Sequence, residues 1–76
     1  MLASALEHIV RGIVDRPDDV RVDARDSARG EVLVVHVHSE DLGRVIGRQG
    51  RTAKALRTLI QALADDRRVR VDVADD

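Results

Sequence analysis

Phenylalanine, tyrosine, tryptophan and cysteine are all absent from this 76-residue chain. Without cysteine there is no disulfide scaffold, thiolate zinc site or cysteine nucleophile, and the composition fits a reducing compartment. Without aromatic rings there is no platform for stacking a base or a flat cofactor. That argues against the RRM, OB-fold and cold-shock modes of single-strand binding and weakens any case for a cofactor pocket. No segment is long and apolar enough to span a bilayer, and residues 1–11 lack the basic stretch and apolar run of a secretory signal. A cytoplasmic protein with no cofactor and no membrane partner is therefore expected.

What is present is aliphatic and charged. Ala, Val, Leu, Ile and one Met supply the whole hydrophobic share of 43%, and a chain this short can assemble one core at most. Residues 1–76 are expected to form a single domain, with its core motif over 31–74 and a frayed acidic end at 74–76. The formal net charge is only −1, yet the charge is unevenly spread. Residues 1–42 hold five Arg against nine acids, and residues 65–76 hold three Arg against five. Between them Arg44, Arg48, Arg51, Lys54 and Arg57 occur with no acid at all. A solvated helix face usually mixes signs, so this local excess of positive charge points to an anionic partner.

The apolar periodicity sets out the elements. Leu2, Leu6, Ile9 and Ile13 recur at helical spacing with Ala5 and Val10 beside them, predicting an amphipathic helix that Pro17 and the acids after it stop. Val20, Val22 and Ala24 alternate with Arg21, Asp23 and Arg25 as a strand with one wet face, and residues 26–30 read as a hairpin turn. Residues 32–38 form a second, β-branched strand, after which Ser39 is expected to cap a short helix through Leu42, Val45 and Ile46. Gly47 ends that helix and Gly50 opens a longer one, with Ala53, Leu56, Leu59, Ile60 and Leu63 as its apolar stripe and Asp65-Asp66 at its close. Val69, Val71 and Val73 make the last strand. The order α-β-β-α-α-β predicts an α+β two-layer sandwich, a three-stranded sheet covered by three helices. Its first two strands should be antiparallel, and the last, reached by a helical crossover, parallel to its neighbour.

Two glycines three residues apart are a weak signal by themselves, because they often mark only a turn. Here they sit inside Leu42-Gly43-Arg44-Val45-Ile46-Gly47-Arg48-Gln49-Gly50-Arg51-Thr52-Ala53-Lys54-Ala55-Leu56. This stretch resembles the signature of the KH domain almost position for position. The extra helix and strand before it correspond to the type II arrangement, and a free-standing type II KH domain of this length resembles the KhpA family of small bacterial RNA-binding proteins. The resemblance implies that about four nucleotides of single-stranded RNA lie across the loop and a shallow aliphatic groove beside it. The residues expected to bind RNA are Gly47, Arg48, Gln49, Gly50 and Arg51, with Arg44 and Lys54 adding charge and Val45, Ile46 and Ala53 lining the groove; Leu56 is assigned to the core. A role as RNA chaperone or post-transcriptional regulator is implied, as is self-association or pairing with a larger KH protein.

The residues support the clamp independently of the resemblance. Glycine lets a ribose-phosphate chain approach the backbone closely. The unpaired N–H groups and positive dipole at the start of the long helix favour a phosphate. Backbone held this way implies little sequence preference, and the rival reading of the chain is a protein–protein interaction module. His36-x-His38 resembles half of a metal site, but no third ligand can be assigned, so the pair is placed on a wet sheet face. Glu40-Asp41 and Asp65-Asp66 fall at helix ends, where they set boundaries. No Ser, His and acid share a spacing that suggests catalysis, and the chain is not expected to be an enzyme.

Overall fold

The computed structural model describes residues 2–65 and 67–74. Helix α1, Leu2–Arg11, buries Leu2, Leu6 and Val10, one residue per turn along a single face. It ends before Pro17 is reached: Gly12 and Ile13 donate to the carbonyls three residues back, Ile9 and Val10, at 3.1 and 3.0 Å, which tightens the end of the helix. Pro17 instead opens a single 3-10 turn, Pro17–Asp19, at the position where its missing N–H costs nothing.

Strands β1 (Arg21–Ser27) and β2 (Gly30–His36) are antiparallel, joined through Ala28 and Arg29, with Val22 opposite Val35 and Ala24 opposite Leu33. Strand β3, Val69–Val73, runs parallel to β2, so the sheet is mixed and β2 is central. Helix α2 spans Leu42–Ile46 and α3 spans Arg51–Ala64. The α+β architecture expected of the sequence is present, with α1 against β1 and α3, and α3 against β3 and α2. Leu6, Val10, Leu33, Val35, Val45, Ile60 and Val71 form the centre of the core between helices and sheet. No helix among the described residues is long and apolar enough to cross a membrane.

The structure corrects three readings of the sequence. Strand β2 stops at His36, so the two histidines do not share a strand face. His38 caps the 3-10 turn Ser39–Asp41, its Nδ1 accepting the Glu40 N–H at 3.1 Å, which is the role assigned to Ser39. His36 lies on the open face of the sheet, 3.0 Å from Asp23. Among the described residues no three His, Asp or Glu come together in a way that could hold a metal.

The third correction concerns α3. Its buried residues are Ala53, Leu56, Ile60 and Ala64, while Leu59 and Leu63 are 44% and 53% exposed. At 100° per residue Leu59 and Leu63 fall on one flank of that stripe, and the sheet and α2 cover only its centre. The helix closes at Asp65, which has a positive φ of 61°. Asp66, read with it as the helix end, and the Asp75 and Asp76 of the expected frayed terminus lie outside the described residues.

Asp41, read from sequence as a boundary residue, is buried. Its carboxylate accepts the Asp15 and Arg16 N–H groups at 3.2 and 3.0 Å, tying the α1–β1 connection to the start of α2.

Candidate nucleic-acid interface

Helix α2 is barely more than one turn long, and its N-terminal half is fixed by Asp41 while Val45 anchors it in the core. It ends where the Gly47 N–H bonds to the Gly43 carbonyl at 2.8 Å. Gly47 has φ 78° and ψ 171°, a region open essentially to glycine alone. A Cβ there would also collide with Thr52 Oγ1 and stand 2.8 Å from the Thr52 nitrogen. Arg48–Gly50 is a single 3-10 turn closed by the Gly50 N–H on the Gly47 carbonyl at 3.1 Å. Gly50 is also left-handed, φ 74°, but the space around it is open, with nothing within 4 Å of where a Cβ would stand.

Helix α3 follows at once, and no side chain caps its N-terminus. Its first N–H groups have no partner within the helix and carry the positive end of the dipole. Arg48 and Arg51 are exposed beside them, and Arg51 Nη2 donates to Gln49 Oε1 at 3.3 Å. Next to the loop is a shallow groove of about 490 Å3 lined by Ile46, Gly50, Ala53, Arg57, Asp72 and Val73. Its walls are the loop and α3 on one side and the free edge of β3 on the other.

The free edge is defined by the parallel ladder. Glu31 donates to the Arg68 carbonyl and Ala74 donates to the Val35 carbonyl, so residues 69, 71 and 73 turn their backbone groups away from β2. Gln61 Oε1 accepts the Val69 N–H at 3.2 Å, and Arg57 Nε donates to the Val71 carbonyl at 3.0 Å. The Arg57 guanidinium is thereby held along the groove wall.

The expected site residues divide into groups. Gly47, Arg48, Gln49, Gly50 and Arg51 make the loop and helix start, and Ile46 and Ala53 lie beside it at the groove. Val45 is fully buried and lines no groove, because a one-turn helix needs its single core anchor. Arg44 is turned away, with its guanidinium 3.1 Å from Asp15 and 4.0 Å from Asp41. Lys54 lies on the outward face of α3 with Leu59, not in the groove. Asp72 and Val73 were missed by the sequence reading, and Arg57 was counted in the basic segment but not among the residues expected to bind RNA. Arg57 stands one turn after Ala53, so helical periodicity alone points to it; Asp72 and Val73 reach the groove only through the parallel pairing of β3.

Residues 3–74 match the family described as KhpA/KhpB, KH domain. The chain is 76% identical over 76 residues, the full length of both proteins, to the protein of Leifsonia xyli subsp. xyli named RNA-binding protein KhpA. Proteins of the same name from Streptomyces coelicolor and Mycobacterium tuberculosis are 61% and 60% identical over 75 residues, which cover 99% of this chain and 94% and 92% of theirs. No solved structure matches the chain. With the family match spanning the first helix to the last strand, and relatives alike over nearly their whole length, the chain belongs to the KhpA/KhpB family of KH domains.

Proposed function

We propose that the chain binds single-stranded RNA in the cytoplasm as one domain, with low sequence preference, as an RNA chaperone or post-transcriptional regulator with no catalytic step. One observation carries the reading: the glycine-bracketed loop delivers an α3 N-terminus with no side-chain cap and no acid in its first turn to the mouth of a groove lined by Ile46, Ala53 and Val73 together with Arg57 and Asp72. A phosphate at the loop meets the helix N–H groups, Arg48 and Arg51. Bases beyond it lie against Ile46, Ala53 and Val73, where the Arg57 guanidinium supplies the flat, cationic surface that an aromatic ring supplies elsewhere. Of the residues lining the groove only Arg57 and Asp72 have hydrogen-bonding side chains, which fits binding with little sequence preference. The relatives' name, RNA-binding protein KhpA, supports the same ligand class.

Salt dependence tests the clamp. With Arg48 and Arg51 as the cations at the loop, about two phosphate contacts, the slope of log K against log salt for a short single-stranded RNA should be roughly −1.4, and duplex RNA should compete poorly. A slope near zero would remove the phosphates from the interaction. Asp15→Asn removes the nearer of the two acids that hold Arg44, leaving only Asp41 at 4.0 Å. Binding by this variant should be tighter than the parent's and its slope steeper by about 0.7, one further contact; an unchanged slope places Arg44 outside the phosphate set.

A second reading, self-association, rests on Leu59 and Leu63. They stand exposed on the outward face of α3 beside a depression of about 560 Å3 lined by Ala55, Thr58, Leu59 and Ala62, with Arg51 and Lys54 at one end. When two copies of α3 pack antiparallel about a two-fold axis, the Arg51 and Lys54 end of one helix meets the Asp65 end of the other. The surface is therefore complementary to itself in charge as well as in apolarity. Sedimentation at micromolar concentration should show a dimer, and Leu59→Gln with Leu63→Gln should weaken it by at least about tenfold with an unchanged circular dichroism spectrum. A parent that sediments as a monomer, or that pairs only with a larger KH protein, would remove the homodimer.

A further inference from the structure

The groove at the loop does not end at Val73. Arg57 also lines a second depression, of about 460 Å3, which continues along the α3–β3 seam past Gln61, Val69 and Arg70. Gln61, Val69 and Arg70 in turn line a third cleft, of about 340 Å3, at the β1–β2 hairpin, where Arg29 and Arg68 join them. One channel thus follows the whole of β3 from the glycine loop to the hairpin. Beyond Asp72 and Val73, which already line the loop groove, residues 68–71 add about 13 Å to its length.

The far end is built firmly and carries uncommitted charge. Gln61 Nε2 donates to the Arg67 carbonyl at 2.7 Å, its Oε1 accepts the Val69 N–H, and Glu31 donates to the Arg68 carbonyl at 3.0 Å. The backbone that presents Arg67 and Arg68 is therefore bonded to both α3 and β2. None of Arg29, Arg67 and Arg68 forms an ion pair with a described residue. Asp26 and Glu31 also line this end, and Asp72 pairs with Arg70 at 3.0 Å. Counting Arg29, Arg57, Arg67, Arg68 and Arg70 against Asp26, Glu31 and Asp72, the channel beyond the loop is net positive in a chain of net charge −1. Exposed arginines spaced along an open channel suit a chain of phosphates better than a single anion.

We propose that single-stranded RNA continues from the glycine loop along the α3–β3 seam to a second phosphate-binding site formed by Arg29 and Arg68 at the β1–β2 hairpin. This rests on the RNA reading of the loop. The extra length accommodates about two to four further nucleotides, so the full footprint reaches about six to eight rather than four.

A length series of single-stranded oligonucleotides of one base tests this on the unmodified protein. Affinity should rise by at least about tenfold from four to eight nucleotides, more than the added binding registers explain, and level off beyond. Arg29→Gln with Arg68→Gln should leave the four-nucleotide affinity unchanged. For eight nucleotides it should cost about fivefold or more and flatten the salt slope by about 1.4, two phosphate contacts. Circular dichroism should be unaltered, since neither side chain makes a fold-bearing bond. If four nucleotides bind as tightly as eight, or the double variant binds eight as the parent does, the second site is overturned while the loop stands. If neither oligonucleotide binds the parent, the loop reading falls and the extension with it.

Discussion

Replacing Arg48 and Gln49 together with Asp is expected to lower the affinity for single-stranded RNA by at least about tenfold, roughly 1.4 kcal/mol, without unfolding the protein. Both side chains are exposed, and neither belongs to the core. Gln49 has a left-handed backbone, φ 57° and ψ 26°, and Asp is among the residues that accept that conformation most readily. An acid at the start of α3 interacts favourably with the helix dipole. The two loop positions nevertheless change from one positive charge to two negative charges at the point where a phosphate would sit. The carboxylate at position 49, one methylene shorter than the Gln49 amide that now accepts from Arg51, also lowers the positive potential around that arginine. Circular dichroism and an RNA titration on the same sample measure both effects. A folded variant that binds as the parent does would reduce the loop to a turn and bring the interaction-module reading forward.

The two glycines of the loop should respond very differently to alanine. At Gly47 the substitution forces a β-carbon into a backbone region essentially reserved for glycine, costing about 1–3 kcal/mol, and drives it into Thr52. The obstruction includes the Thr52 backbone nitrogen in the first turn of α3, so relief requires moving the helix start itself. A total of about 3 kcal/mol or more corresponds to a fall in Tm of at least about 12 °C for a domain this small. At Gly50 the left-handed conformation costs about 1–2 kcal/mol, a fall of roughly 4–16 °C, and the open space adds nothing. Gly50→Asn should lose less again, because Asn tolerates the left-handed region. Thermal unfolding followed by circular dichroism ranks the three variants; equal midpoints for Gly47→Ala and Gly50→Ala would contradict the geometry.

Much of the fold is legible in the order of residues because it depends on local rules. The β-branched alternation of β2 and β3, the four-residue spacing of Leu2, Leu6 and Val10, and the glycines that bracket a turn are each written within a few neighbouring positions. Their sequence order is enough to give a mixed three-stranded sheet, since a helical crossover returns the chain parallel. The glycine loop and its cations were legible for the same reason, being contiguous in the chain. Where the sequence misled, the deciding contact came from far away. Leu59 and Leu63 fit a helical stripe, but which flank of α3 is covered depends on where the sheet and α2 lie.

The site divides along the same line. The residues of the Gly47-Arg48-Gln49-Gly50 turn follow from the sequence alone, because a tight turn and a helix start are properties of adjacent backbone units. Whether a nearby charge serves that turn is a question of distance across the fold. Arg44 was drawn to Asp15, 29 positions earlier, by the buried Asp41 that holds the intervening connection in place. Arg57 was fixed along the groove by a carbonyl of β3, 14 positions later. Asp72 and Val73 became groove residues only when β3 paired with β2 and left its other edge facing α3. The sequence by itself determined which turn could receive a phosphate; the tertiary structure decided which side chains surround it, because charge acts through space and chain order does not set those distances.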